Sequence, residues 1–245
     1  MKIKTKTYAL AILIIFTFGM FAFSQIKNIE NENILAYTVD LTKQELRFYW
    51  KDKKGEHIKN FQNLITLTKS QSKKLVFAVN GGMYKKDLSP QGIYIENGII
   101  KSKLDTIQKA FGNFYMQPNG IFYITTNNKS VICKTTDFKN QNIKYATQSG
   151  PLLIIDGKIH SKFRDGSKNL NIRNGVGVLP NGNLIFAMSK KKINFYDFAS
   201  YFKKLGCKNA LYLDGFVSKT YLPQKNWIQT DGNFGVIIAV VKTEE

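Results

Sequence analysis

Four short stretches set a polar side chain beside glycine where an apolar run stops. They are Asn80-Gly81-Gly82, Gln148-Ser149-Gly150, Arg173-Asn174-Gly175 and Asp214-Gly215. Between them they offer amides, a hydroxyl, a guanidinium and a carboxylate. Amides and hydroxyls suit the oxygens of a sugar, and a guanidinium grips a phosphate through two parallel bonds. A carboxylate suits an oxocarbenium-like transition state. Glycine beside each group lets backbone N–H groups approach a ligand. Ser218, just past Asp214, adds a second hydroxyl. Any one stretch also reads as an ordinary turn or loop, and Arg173 alone as a surface charge. The recurrence of the device at four strand ends is what points to a shared site.

Other chemistry finds less support. His57 and His160 stand far apart without clustered carboxylates, so no metal site is expected, and His160 reads as an ordinary exposed side chain after a hairpin. Cys133 and Cys207 lack metal-ligand spacing. They read either as a disulfide in an oxidising compartment or as two buried free thiols. No cofactor is expected.

The elements that must position these groups are mostly strands. Ile34–Val39 and Glu45–Trp50 read as a strand pair, and "IKNFQNLITLTKS" has the apolar spacing of a helix. "LVFAVN" is a continuous apolar run ending at Asn80, as expected of a buried central strand. Asn97-Gly98, Asp156-Gly157 and Pro180-Asn181-Gly182 each separate two strand-like runs and mark hairpins. Asn194 can cap a helix through "FYDFASYFKKL" that Gly206 would end. "NALYLD" and "FGVIIAVVK" supply the last strands. The expected architecture is α+β: one domain, residues 25–245, with a mixed, largely antiparallel sheet, hairpins, a few packed helices and a surface cavity at the strand ends.

The N-terminal segment is of another kind. Lys2, Lys4 and Lys6 precede an apolar run from Tyr8 to Phe23, and the segment closes with Ala22-Phe23-Ser24, small residues at the places a signal peptidase reads. Residues 1–24 therefore read as a secretory signal, with an uncleaved anchor as the other reading. The formal net charge is +19, to which the three signal lysines contribute. Such a charge raises nucleic acid as a partner. Export and the scattering of the lysines argue against it, so no nucleic-acid partner and no stable membrane insertion after cleavage are expected.

Five blocks carry a resemblance: "NGGMYKKDLSPQGIYIENG", "NFYMQPNGIFYI", "ATQSGPLLIIDGKIH", "IRNGVGVLPNG" and "NFYDFASYFKKLGCKNALYLDG". In this order they resemble the phosphodiester glycosidase domain family, which includes the animal enzyme that uncovers mannose 6-phosphate on lysosomal hydrolases. The chain looks similar to short bacterial envelope members labelled as exopolysaccharide-biosynthesis-related. The resemblance runs from Leu75 to Val241 and implies a single α+β domain with a cavity lined by these motifs. It implies hydrolysis of a sugar-1-phosphodiester, releasing the sugar and leaving a phosphomonoester.

Carried over by position, Asn80, Gly81 and Gly82 fall on the first cavity motif, and Gln148, Ser149 and Gly150 on the second. Arg173 and Asn174 fall on the third, and Asp214 and Gly215 on the fourth. Asp214 is then the expected nucleophile or general base. Arg173, helped by N–H groups near Gly81 and Gly150, is expected to stabilise the departing phosphate oxygen. Glu96 is the second carboxylate to test. Phe216 departs from the family, many members of which have glycine or serine there; it either narrows the cavity or gives a sugar ring a face to stack on. The expected function is a phosphodiester glycosidase of the periplasm or cell exterior. The alternative is a non-catalytic saccharide-binding protein of polysaccharide export. A binder of anionic polymers, resting on charge alone, ranks last.

Overall fold

The computed structural model describes residues 32–214 and 217–244. The signal segment at 1–24, Gly215 and Phe216 lie outside the described residues. The chain divides into a unit Met1–Ile34, of which little is described, and a unit Leu35–Glu245, which holds the fold.

In chain order, β1 (Ile34–Val39) and β2 (Glu45–Tyr49) are followed by helix α1 (Phe61–Lys69) and β3 (Lys73–Asn80). The hairpin of β4 (Tyr94–Glu96) and β5 (Ile99–Ser102) precedes β6 (Gly120–Thr125), β7 (Ser130–Lys134) and β8 (Ile143–Ser149). Next come β9 (Leu152–Ile155), β10 (Lys158–Ile159), β11 (Asn174–Val178) and β12 (Leu184–Ser189). Helix α2 (Phe195–Lys204) leads to β13 (Ala210–Asp214), β14 (Thr220–Leu222), β15 (Trp227–Ile228) and β16 (Ile237–Thr243).

The strands form three sheets rather than one. Their orders are β1-β12-β11-β13-β9-β10, β15-β14-β3-β16-β2 and β5-β4-β8-β6-β7. The pairings that carry β3, β8, β11 and β13 are antiparallel, in keeping with the expected largely antiparallel architecture; the number of sheets is what changes. One apolar cluster is shared by all three, with Phe48, Phe77, Phe122, Phe186 and Leu213 among its members. Burying each such side chain contributes about 1.5–3 kcal/mol.

Local rules explain most elements. At the two-residue turns Asn97-Gly98 and Asp156-Gly157 both residues have positive φ, 52° and 79° in the first and 48° and 77° in the second. That is the twist a tight hairpin needs. Asn194 caps α2 by accepting from the Asp197 N–H at 2.8 Å. Phe198 and Phe202 bury one face of α2 against β11. A side chain at Gly177 would begin 2.8 Å from Phe202, so the glycine is what lets the helix lie that close.

Two expectations change. The first strands do not pair with each other: β1 joins the first sheet beside β12, and β2 joins the second along β16. Between them Lys43 and Gln44 N–H groups both fold onto the Asp40 carbonyl, a wider turn than a two-residue hairpin. Second, α1 starts at Phe61 because Asn60 is its cap, and Ile58 is buried ahead of it. Among the described residues no helix is long and apolar enough to cross a membrane.

Candidate active site

Strand ends from the three sheets meet at one junction. Asn80 is the last residue of β3, Ser149 of β8 and Asp214 of β13, and Asn174 is the first of β11. Asn80 Nδ2 donates to Asp214 Oδ2 at 2.9 Å. Asn174 Nδ2 donates to the Asn80 carbonyl at 2.8 Å and to Asn80 Oδ1 at 2.9 Å. In return Asn174 Oδ1 accepts the Asp214 N–H at 2.7 Å. The Lys219 N–H donates to Asn80 Oδ1 at 2.9 Å. Two donors on Asn80 Oδ1 fix the orientation of that amide, so its Nδ2 must face the carboxylate.

Hydroxyls close the same junction. Ser149 Oγ donates to the Leu213 carbonyl at 2.9 Å, and Ser218 Oγ to the Asp214 carbonyl at 2.7 Å. Thr147 Oγ1 reaches the Gly81 carbonyl at 3.4 Å. Asn80 and Asn174 are fully buried, and Asp214 is 7% exposed. Buried polar groups are costly unless bonded, and here each amide is oriented by the next. The result is a carboxylate held in one orientation, the requirement for a nucleophile or base. Side chains added at Gly81, Gly82 or Gly150 would collide with their neighbours, so the described residues pack this junction closely.

Glycine here serves close packing. Gly82 has φ +98°, and a side chain there would begin 2.2 Å from Thr147 Oγ1. The Gly81 N–H donates to the Val236 carbonyl at 2.9 Å, so it is already engaged and not aimed at a ligand. Gly150 passes beside Asn119.

Three expected site residues are not bonded into the junction. Gln148 sits between Thr147 and Ser149 on β8 and so faces the other way. Its Oε1 accepts from Ile93 and Asp105 N–H groups, and its Nε2 donates to the Asp105 carbonyl at 2.8 Å. It anchors the segment at Asp105. Glu96 accepts from Tyr94 OH at 2.8 Å, at the turn end of β4 away from the Tyr94–Thr147 pairing. Burial raises its pKa, with the Tyr94 bond opposing.

Arg173 does not stand at a rim; it is fully buried. Nε donates to the Ile193 carbonyl at 2.8 Å, Nη2 to the Asn169 carbonyl at 2.9 Å and Nη1 to Tyr212 OH at 3.2 Å. The guanidinium lies 3.6 Å over the Phe195 ring. Phe195 stacks on Phe163, and Phe163 on His160. His160, expected on the surface, is 1% exposed, with Nε2 3.1 Å from the Gln117 carbonyl. Cys133 and Cys207 are free thiols.

The family model described as phosphodiester glycosidase matches residues 73–239, more than half of the chain and all four strand-end motifs. The chain belongs to the phosphodiester glycosidase family. This family member is 36% identical over 190 residues to YigE of Escherichia coli strain K12, an uncharacterised protein, covering 77% of this chain and 74% of YigE. Its fold matches the catalytic domain of zebrafish N-acetylglucosamine-1-phosphodiester alpha-N-acetylglucosaminidase, auto-inhibited by its pro-peptide. There the TM-score is 0.53 at 12% identity, over 85% of this chain and 88% of that one. It also matches a hypothetical protein from Synechocystis with TM-score 0.53 at 14% identity; the match covers 85% of this chain and only 59% of that one.

The structure of this phosphodiester glycosidase relative adds residues that the motifs did not single out. Tyr84, two residues past Gly82, packs where Gly235 has no side chain; a Cβ there would lie 2.4 Å from the Tyr84 Cβ. Burial pushes the Tyr84 phenol up to about 12, and the Asp214 charge adds to the shift. At neutral pH the phenol is therefore protonated, and it lies near enough to Asp214 to feel that charge. Its place in "NGGMY" was the available signal. Tyr84→Phe should lower turnover about tenfold, the worth of one neutral hydrogen bond, with an unchanged unfolding midpoint. Steady-state kinetics with a cleaved substrate checks this, and unchanged turnover removes Tyr84 from the site.

Proposed function

We propose that this chain hydrolyses a sugar-1-phosphodiester in the bacterial envelope, with a role in exopolysaccharide metabolism. The observation that carries the proposal is the Asp214 carboxylate held by Asn80 at the junction of three sheets, in a chain of the phosphodiester glycosidase family. Asp214 acts as nucleophile at the anomeric carbon or as base for the attacking water. The departing phosphomonoester is a competent leaving group, so it needs charge stabilisation more than a proton. Arg173 contributes mainly its field to that task, because it is fully buried and at least four of its five N–H groups bond within the protein.

The test is sugar release from a panel of glycosyl methyl phosphates that includes the N-acetylglucosamine compound, the sugar in the zebrafish enzyme's name. A second reading, a saccharide-binding protein without turnover, is favoured by one observation. Glu96, the expected second carboxylate, is bonded to Tyr94 and not to the junction. Binding of panel members without sugar release would decide for it.

The apolar run after Lys2, Lys4 and Lys6 supports export. The mature chain should begin at about Gln25 and fractionate with the soluble envelope proteins. Intact-mass measurement checks this, and a chain that keeps Met1 in the membrane fraction contradicts it.

A further inference from the structure

Resting on the phosphodiester reading of this site, we infer that Lys219 is its phosphate anchor, with the ammonium parked on Asp231 until an anionic substrate takes it over. A site for a phosphodiester needs a cation that can reach the ligand. Arg173 is enclosed, with at least four of its five N–H groups bonded to Ile193, Asn169 and Tyr212. Lys219 is the next cation in line. Its own N–H sits on Asn80 Oδ1, and the same amide donates to Asp214 Oδ2. Its ammonium bonds the Asp231 carboxylate.

The position of that pair matters. Asp231 begins the segment that runs along the first motif: the Val236 carbonyl accepts the Gly81 N–H, and Gly235 lies against Tyr84. The Lys219–Asp231 pair thus joins the two chain segments that flank Asn80, Gly81 and Tyr84. The Lys219 side chain is 27% exposed and that of Asp231 73%. An ion pair this open to water is weak, because water competes for both partners. Exchanging Asp231 for a phosphodiester monoanion therefore costs little, and the displaced carboxylate is already solvated. A lysine suits the task, since it grips as a compact charge on a flexible stem and leaves orientation to the sugar.

Calorimetric titration of the full chain with the glycosyl methyl phosphate that the wild type binds most tightly, and with the matching neutral methyl glycoside, tests this. Lys219→Met keeps the backbone N–H on Asn80. It should weaken phosphodiester binding about tenfold or more at low salt and leave methyl glycoside binding unchanged. Lys219→Arg should restore most of the loss, and Asp231→Asn should tighten phosphodiester binding. Wild-type phosphodiester affinity in Lys219→Met overturns the inference, as does an equal loss for both ligands. Sugar release is read separately. Cleavage with unchanged binding by Lys219→Met sinks this inference alone. The expected binding pattern without cleavage sinks hydrolysis alone. A wild type that binds no phosphodiester sinks both.

Discussion

Asp214→Asn should lower turnover roughly a thousandfold or more, about 4 kcal/mol of transition-state stabilisation, while the protein stays folded. An amide can neither attack the anomeric carbon nor balance an oxocarbenium charge. The replacement is isosteric and can keep two of the bonds made at this position. Its Oδ1 can take the Asn80 Nδ2 bond that Asp214 Oδ2 now accepts, and the backbone N–H still reaches Asn174 Oδ1. Binding of the phosphodiester should survive or improve, since one negative charge has left the site. Turnover, calorimetric affinity and thermal unfolding, measured on wild type and variant, separate these terms. A variant that keeps a tenth of wild-type turnover would remove Asp214 from the chemistry.

Arg173→Met should destabilise the fold by about 3 kcal/mol, a shift of roughly 6–10 °C in the unfolding midpoint for a chain of this size. The change takes the guanidinium donor from the buried Tyr212 OH, and from the Ile193 and Asn169 carbonyls, of which Ile193 keeps the Asn171 N–H and Asn169 is exposed. It also removes the cation from the face of Phe195. Part of the loss is returned, because a charge need no longer be kept away from water. Arg173→Lys should do little better, since one ammonium cannot span three acceptors in different directions. Urea unfolding of the purified variants gives the answer. Lost turnover with an unchanged midpoint would return Arg173 to the substrate's phosphate.

Local rules made much of this molecule readable. Asn97-Gly98 and Asp156-Gly157 turn as their φ angles demand, and Asn194 and Gly206 bound α2 where cap chemistry puts them. Of the groups expected to share a site, Asn80 and Asp214 bond to each other, while Gln148 and Arg173 bond elsewhere. Side-chain direction was not readable. Gln148 and Ser149 are neighbours, as are Arg173 and Asn174, and in each pair one faces the junction and the other turns away. A motif names both residues, and only the packing of the sheets says which is which. His160 misled for a related reason. A polar ring after a hairpin looks exposed until Phe163 and the Gln117 carbonyl are found against it. Tyr84 and the Lys219–Asp231 pair depend on Gly235 and the 231–236 segment, which no local pattern connects to them.

The junction also dictates when the chain can first work. Asn80 and Asp214 are separated by 134 positions, and Asn80 and Asn174 by 94. Contacts that span so much chain form late, after the loop entropy between them has been overcome. A chain emerging from a ribosome or a translocation channel with its N-terminus first carries Asn80 early and Asp214 close to the end. Until that last stretch arrives, no amide aligns the carboxylate, and on the proposed function a nascent, truncated or half-folded molecule would cleave no sugar. Completion of the fold is thereby the moment at which Asp214 first meets the amides that hold it.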